Sequence, residues 1–120
     1  MTAIVERGQP GSWTGPILNN DSQATATSGV IKAGPAVFLE VNGYNASAST
    51  RYFHIYNSAT VPADGAVPAC VPVVVPPFGV FSLSFAQGLF LGAGLSWASS
   101  SALATKAITT ADLWVTITYK

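Results

Sequence analysis

Charged side chains are scarce in this sequence. Lys, Arg, Asp and Glu together make up 8% of its 120 residues, against about a quarter of an ordinary soluble domain. The five basic residues, which balance five acidic ones, are scattered singly along the chain. A nucleic-acid binder needs several Lys or Arg on one face to neutralise phosphates. The composition therefore predicts no nucleic-acid partner, and the zero net charge removes a repulsion that opposes self-association.

Cysteine occurs once, and the motifs of common enzymes do not occur. Cys70 cannot form an internal disulfide, and its position in an apolar run predicts a buried, inert thiol. Residues 94–98 fall one residue short of a Gly-x-Ser-x-Gly elbow, and the sequence has no Gly-Lys-Ser or Gly-Lys-Thr phosphate loop. We therefore predict no enzymatic activity, no cofactor, no metal and no small-molecule substrate.

Histidine also occurs once, so any histidine-based metal or catalytic site would have to be built around His54. Tyr52, His54 and Tyr56 alternate with Phe53 and Ile55, which places the first three on the strand face opposite the core. Aromatic side chains are enriched at the centres of interfaces. We expect this stripe to join copies of the chain in a homotrimer; a plain strand position is the alternative for His54.

An uncharged stretch runs from residue 65 to residue 105. A membrane-spanning helix is not expected there, because four prolines interrupt it: Pro68, Pro72, Pro76 and Pro77. Residues 1–8 also lack the charged-then-apolar layout of a secretory signal. We expect no membrane partner, and we expect synthesis in the cytoplasm of the producing cell.

Alternating apolar and polar residues dominate the chain from residue 29 onward. The clearest strand, residues 112–119, has an inward and an outward set: Leu113, Val115, Ile117 and Tyr119 against Trp114, Thr116 and Thr118. No helical period persists over three turns. About seven short strands separated by Pro and Gly turns predict an all-β fold, a single antiparallel β-sandwich with either jelly-roll or immunoglobulin-like topology.

Two stretches leave the strand pattern open. Val37, Leu39 and Val41 are predicted to share one face, after which Asn42-Gly43 offers a tight turn, although the strand could continue past it. Residues 67–75 form an apolar run whose two prolines, followed by Pro76, confine it to a sheet edge.

Residues 1–28 differ from the rest in being poor in bulky aliphatic residues and rich in turn formers. We predict an extended N-terminal arm over 1–28 and the β-sandwich domain over 29–120. Trp13, Ile17 and Leu18 are isolated apolar residues in the arm, as expected of a segment that anchors itself to another surface. Folding back on its own domain is the alternative. On the first interpretation the arm serves docking and contributes little to the stability of the sandwich.

Residues 51–68 and 94–106, together with the last strand at 112–119, combine aromatic strands with Ser-Ala-Thr turns. In this pattern the chain resembles small virion proteins of tailed bacteriophages, and within that group capsid decoration or cement proteins. The resemblance implies a β-sandwich or jelly-roll trimer on the capsid surface of the virion. Its partners would be other copies of the chain and the major capsid protein, and its role would be to stabilise capsomer junctions. Outward-facing Trp114 would be part of the protein interface.

A second function from another class fits the same fold. A receptor- or carbohydrate-binding β-sandwich module of a phage tail or fibre would stack sugars on exposed aromatic side chains. The candidates are Tyr52, Tyr56, Trp97 and Trp114, of which Trp97 is predicted to point inward.

Overall fold

The chain folds as two antiparallel β-sheets packed face to face. The structure is a computed structural model that describes residues 15–120. Its eight strands are β1 (Leu18–Asp21), β2 (Ser28–Lys32), β3 (Ala36–Asn45), β4 (Arg51–Asn57), β5 (Val73–Val75), β6 (Val80–Leu91), β7 (Leu95–Ser100) and β8 (Leu113–Tyr119). Sheet A has the strand order β1-β8-β3-β6, and sheet B has the order β2-β7-β4-β5. The predicted all-β sandwich is confirmed.

The strand pairing is nested. The outermost pair is β1 with β8, followed by β2 with β7, β3 with β6, and β4 with β5, and every pair is antiparallel. This is the pairing of a jelly roll, in which a long antiparallel hairpin is wrapped into two four-stranded sheets. An immunoglobulin-like sandwich divides its strands differently. None of the described residues belongs to a helix able to cross a membrane.

Aromatic side chains join the two sheets at the centre of the core. The Phe53 ring of sheet B stacks on Trp97 with centroids 5.8 Å apart, and it lies 5.3 Å from the Phe81 ring of sheet A. In sheet A the Phe38 ring meets Phe85 edge-on at 5.9 Å. Rings in these arrangements add stabilisation beyond the area they bury.

The predicted alternation is correct for β8 and wrong for the first half of β3. Leu113, Val115 and Ile117 are buried and Trp114 is exposed, as the pattern of β8 requires. In β3, however, Phe38 rather than Leu39 packs in the core. The pairing with both neighbouring strands shifts between Phe38 and Glu40, which is a β-bulge. One extra residue reverses the faces on either side of it.

Asn42-Gly43 does not form a turn, because β3 continues to Asn45. Gly43 lies in the middle of the strand, opposite Phe81 on one side and Val115 on the other. A Cβ atom at Gly43 would clash with the Phe81 ring and would fall 2.8 Å from the backbone oxygen of Trp114. Glycine is therefore required here by a close approach within the sheet.

The sandwich begins earlier in the chain than predicted. Residues 18–21 form β1 on the edge of sheet A, and β2 begins at Ser28 on the edge of sheet B. Between them, Ala26 forms an isolated bridge with Leu113. The predicted arm over 1–28 is therefore wrong for residues 18–28. Trp13 and the rest of residues 1–14 lie outside the described part of the chain.

Candidate interaction surface

The outer face of sheet A is open to solvent. Strand register places Asp21, Thr116, Asn42 and Ser82 in one cross-strand row, and Asn19, Thr118, Glu40 and Ser84 in the next. These side chains point away from the core because their neighbours along each strand point into it. The result is a surface of mostly small polar residues that also carries the carboxylates of Asp21 and Glu40.

One row of this face is apolar. Tyr44 of β3 pairs with Trp114 of β8 on one side and with Val80 of β6 on the other. The exposed fractions are 45% for Trp114, 38% for Tyr44 and 79% for Val80. We call these three residues the aromatic row. Adjacent strands lie about 4.8 Å apart, so the row forms a continuous apolar strip across three strands.

Hydrogen bonds fix the orientation of Trp114. Its indole Nε1 donates to Oδ1 of Asp21 at 2.8 Å, and the same oxygen accepts from the backbone N of Gln23 at 2.6 Å. The backbone hydrogen bond from Gln23, together with the indole, lowers the pKa of Asp21 below its usual value. The carboxylate is ionised at neutral pH and holds the indole in place, so the ring is preorganised for contact.

Neighbouring polar side chains of this face bond to one another. Asn42 donates to a carboxylate oxygen of Glu40 at 3.0 Å, and Thr118 donates to the side-chain oxygen of Asn19 at 2.8 Å. Covering these groups breaks fewer hydrogen bonds to water than covering unpaired ones would. The Asn and Thr side chains beside the aromatic row can therefore be buried against a partner at modest cost, whereas the carboxylates of Asp21 and Glu40 would need donors from that partner.

The outer face of sheet B, in contrast, is covered by the chain itself. The connection before β5 and the connection before β8 lie over β4 and β7. Lys106 joins the two connections, because its backbone N donates to Ala66 and its backbone O accepts from Gly65, both at 2.8 Å. The Nζ of Lys106 also donates to Asp64 at 2.8 Å, which lowers the pKa of that carboxyl. All six residues of β7 are consequently buried.

His54 and Tyr56 lie beneath this cover, with exposed fractions of 0% and 2%. Nε2 of His54 is 3.0 Å from the carbonyl oxygen of Ala102, which can only accept, so Nε2 carries the proton. Nδ1 then accepts from the Tyr56 hydroxyl at 2.8 Å. The predicted interface stripe is wrong for these two residues, because the connections bury them inside the monomer. Tyr52, at the end of the stripe, stays partly exposed.

Burial also controls the titration of this pair. Desolvation lowers the pKa of His54, despite hydrogen bonds from its ring to the backbone at Ala102 and Leu103. Desolvation likewise raises the pKa of the Tyr56 phenol. Both side chains are therefore neutral at pH 7, and the pair acts as a hydrogen-bonded link between β4 and the connection above it.

The other predicted anchors lie apart from the aromatic row. Ile17 and Leu18 are exposed, and Leu18 pairs with Tyr119 at the far end of β8. Tyr119 is five residues from Trp114 along the same strand, a separation of roughly 17 Å. The structure thus brings Ile17 and Leu18 together with each other but not with Trp114.

Side chains suited to chemistry are not clustered. Among residues 15–120, no group of three or more His, Cys, Asp or Glu side chains is placed to hold a metal ion. Burial raises the pKa of the Cys70 thiol, which keeps it in the unreactive protonated form. The sequence matches no family model, and neither a curated protein nor a solved structure is significantly similar to it.

The sequence predicted that Trp114 faces outward. It did not predict that Tyr44 and Val80 lie beside it. The alternation of β3 already places Tyr44 on the same face as Glu40 and Asn42. What the sequence does not contain is the register that aligns Tyr44 with Trp114 and Val80, because that register depends on strand pairs far apart in the chain.

Proposed function

We propose that this protein is a structural virion component that binds the outside of a phage capsid as an oligomer and stabilises the junctions between capsomers. The observation that carries the proposal is the aromatic row on an open sheet face of mostly small polar residues. Together with the sequence resemblance to capsid decoration proteins, it favours a protein that acts by surface contact. No chemical step is part of this function.

Contact through this face follows the energetics of protein interfaces. Large aromatic side chains that are already held in place dominate binding energy, while the surrounding neutral residues exclude water. The aromatic row supplies the large side chains, and the Ser, Thr and Asn residues beside it exclude water.

Stabilisation of the capsid follows from mass action. A protein that binds only the intact shell lowers the free energy of that state at every occupied site. At a free concentration a thousandfold above the dissociation constant, the gain is about 4 kcal/mol per site. Because a shell offers many sites, modest affinity at each one protects the whole particle.

The docking surface can be tested by rebinding to capsids stripped of this protein. Changing Trp114 and Tyr44 together to Ala should weaken binding by roughly thirtyfold or more, since loss of an aromatic anchor costs about 2 kcal/mol or more. Val71→Ala is the matched control, because Val71 is 82% exposed and lies outside sheet A. Equal binding by the double variant and the wild type would show that the docking surface lies outside the aromatic row. Failure of the wild type to bind would contradict the proposed function.

Carbohydrate binding by a tail or fibre module is the second candidate, favoured by the exposed ring of Trp114 beside the Asp21 carboxylate. Two of the four expected sugar-stacking residues are ruled out, because Trp97 and Tyr56 are buried. A glycan array probed with the isolated protein tests this candidate. Binding that is lost on Trp114→Ala, without rebinding to capsids, would establish it in place of the capsid function.

A further inference from the structure

Within residues 15–120, the first half of strand β6 is the longest edge segment without protection against pairing. Exposed edge strands are normally kept short, or carry charges, prolines or bulges. In the described sandwich β1 has four residues, β5 has three residues bounded by Pro72 and Pro76, and β2 has five residues with a bulge and Lys32. β6, by contrast, contains neither a charge nor a proline in its 12 residues. Its first five residues, 80–84, pair with β3 in unbroken register before the irregularity at residues 85–88.

The register shows which backbone groups of β6 face outward. Asn45 of β3 donates its backbone N–H to the oxygen of Gly79 at 2.8 Å. In an antiparallel ladder every second residue bonds to the neighbouring strand, so Phe81 and Leu83 also bond to β3. The N–H and C=O groups of Val80, Ser82 and Ser84 therefore point to the free edge. No hydrogen bond within residues 15–120 satisfies them.

Side chains beside this edge are also incompletely covered. Leu83 and Phe85 point inward and pack on the core, yet both are only partly buried. A strand added next to β6 would cover them further. The edge thus offers both unpaired backbone groups and apolar area to a strand that joins sheet A.

We propose that β6 pairs with β6 of a second copy of this chain, in an antiparallel arrangement about a two-fold axis at Ser82. Val80 then lies opposite Ser84 of the other copy, which aligns outward residues with outward residues and inward with inward. The three facing pairs form about six backbone hydrogen bonds. A second copy fits because such an interface is self-complementary, and because an uncharged strand meets itself without repulsion.

This inference goes beyond the proposed function and does not depend on it. Pairing of β6 joins two copies of sheet A into one continuous eight-stranded sheet, with both aromatic rows on the same face. Two linked contacts bind a surface far more tightly than one. The self-association of the isolated protein is nevertheless a separate property from capsid binding, and it can be measured without any capsid.

Sedimentation equilibrium of the full chain from 10 µM to 1 mM tests the pairing. The wild type should shift from the 12.4 kDa monomer to twice that mass as the concentration rises. Ser82→Lys places two ammonium groups opposite each other at the two-fold axis, and it should weaken the dimer at least tenfold at low salt. Ser82→Thr, which keeps the strand neutral, should dimerise like the wild type.

Ser82→Pro supplies an independent test through the backbone. It removes an N–H that points to the free edge, so it blocks the dimer while leaving the bonds to β3 intact. We expect a monomer at all concentrations, with a circular dichroism spectrum like that of the dilute wild type. A wild type that stays monomeric at 1 mM overturns the proposal, and so does a folded Ser82→Pro variant that dimerises normally.

Discussion

At the scale of single residues, His54 shows how the fold changes the role of a side chain that the sequence places on an outer face. Its strand position is as predicted, but the connections above sheet B bury it against Tyr56 and Ala102. As the one histidine of the chain, it provides a titration that can be assigned without ambiguity. Burial converts a candidate interface residue into a structural link.

Stability should fall in mildly acidic solution because of His54. Its pKa is lowered in the folded state from the ordinary 6.5, so below pH 6.5 the unfolded chain binds a proton that the folded chain does not. The contribution of neutral His54 to the free energy of unfolding is complete above pH 6.5. Below that pH it is lost, by at most about 1.4 kcal/mol per pH unit. Urea unfolding between pH 5 and 8 measures this slope.

His54→Gln removes the titrating group and provides the control for that slope. Its stability should be lower at pH 8 yet nearly constant between pH 5 and pH 7. The carboxyl groups of Asp64 and Asp112 do not interfere, because their lowered pKa values place their own losses below about pH 3.8. An unchanged slope in this variant would show that another group carries the pH dependence.

Gly43 is a residue at which close packing leaves no room for a methyl group. Gly43→Ala should destabilise the protein by about 1–3 kcal/mol, because the new Cβ meets the Phe81 ring and the Trp114 backbone. Gly34→Ala is the matched control, since nothing lies within 4 Å of a Cβ there. Chemical denaturation of both variants measures the difference, and equal stability would show that sheet A relaxes around position 43.

At the scale of elements, strands with one apolar face were predictable and strands without one were not. β8 has inward Leu113, Val115 and Ile117 and was found from its alternation, as was the Phe81, Leu83 and Phe85 face of β6. β1 reads Leu-Asn-Asn-Asp and is exposed along its whole length. Its backbone pairing with β8 holds it in place, and backbone pairing leaves no mark in a hydrophobic pattern.

Truncation of the N-terminus distinguishes an arm from a strand. Deleting residues 2–25 removes β1 and leaves β8, a central strand, at the edge of sheet A. The melting temperature should fall by about 5 °C or more, since each kcal/mol lost shifts it by several degrees in a domain of this size. Deleting residues 2–14 keeps all eight strands and should change it less. Equal melting of the two truncated proteins would restore the arm interpretation for residues 18–25.

At the scale of the whole molecule, composition and strand count predicted the sandwich but could not select its topology. The nested pairing joins β1 to β8 and β2 to β7 across most of the chain, and no local pattern encodes such distant partners. For the same reason, the sequence could not show which outer surfaces stay exposed for contact between copies. The homotrimer stays a prediction, without the His54 and Tyr56 contacts that motivated it. The β6 edge offers a dimer instead.

The measurement that tests the account most directly is the rupture temperature of matched phage particles with and without this protein. At full occupancy, particles that carry it should withstand a higher temperature before releasing their DNA, because binding selects the intact shell. Particles reconstituted with the Trp114→Ala, Tyr44→Ala variant at the same concentration should gain less. Rupture at one common temperature, despite full occupancy by the wild type, would contradict a stabilising role on the capsid.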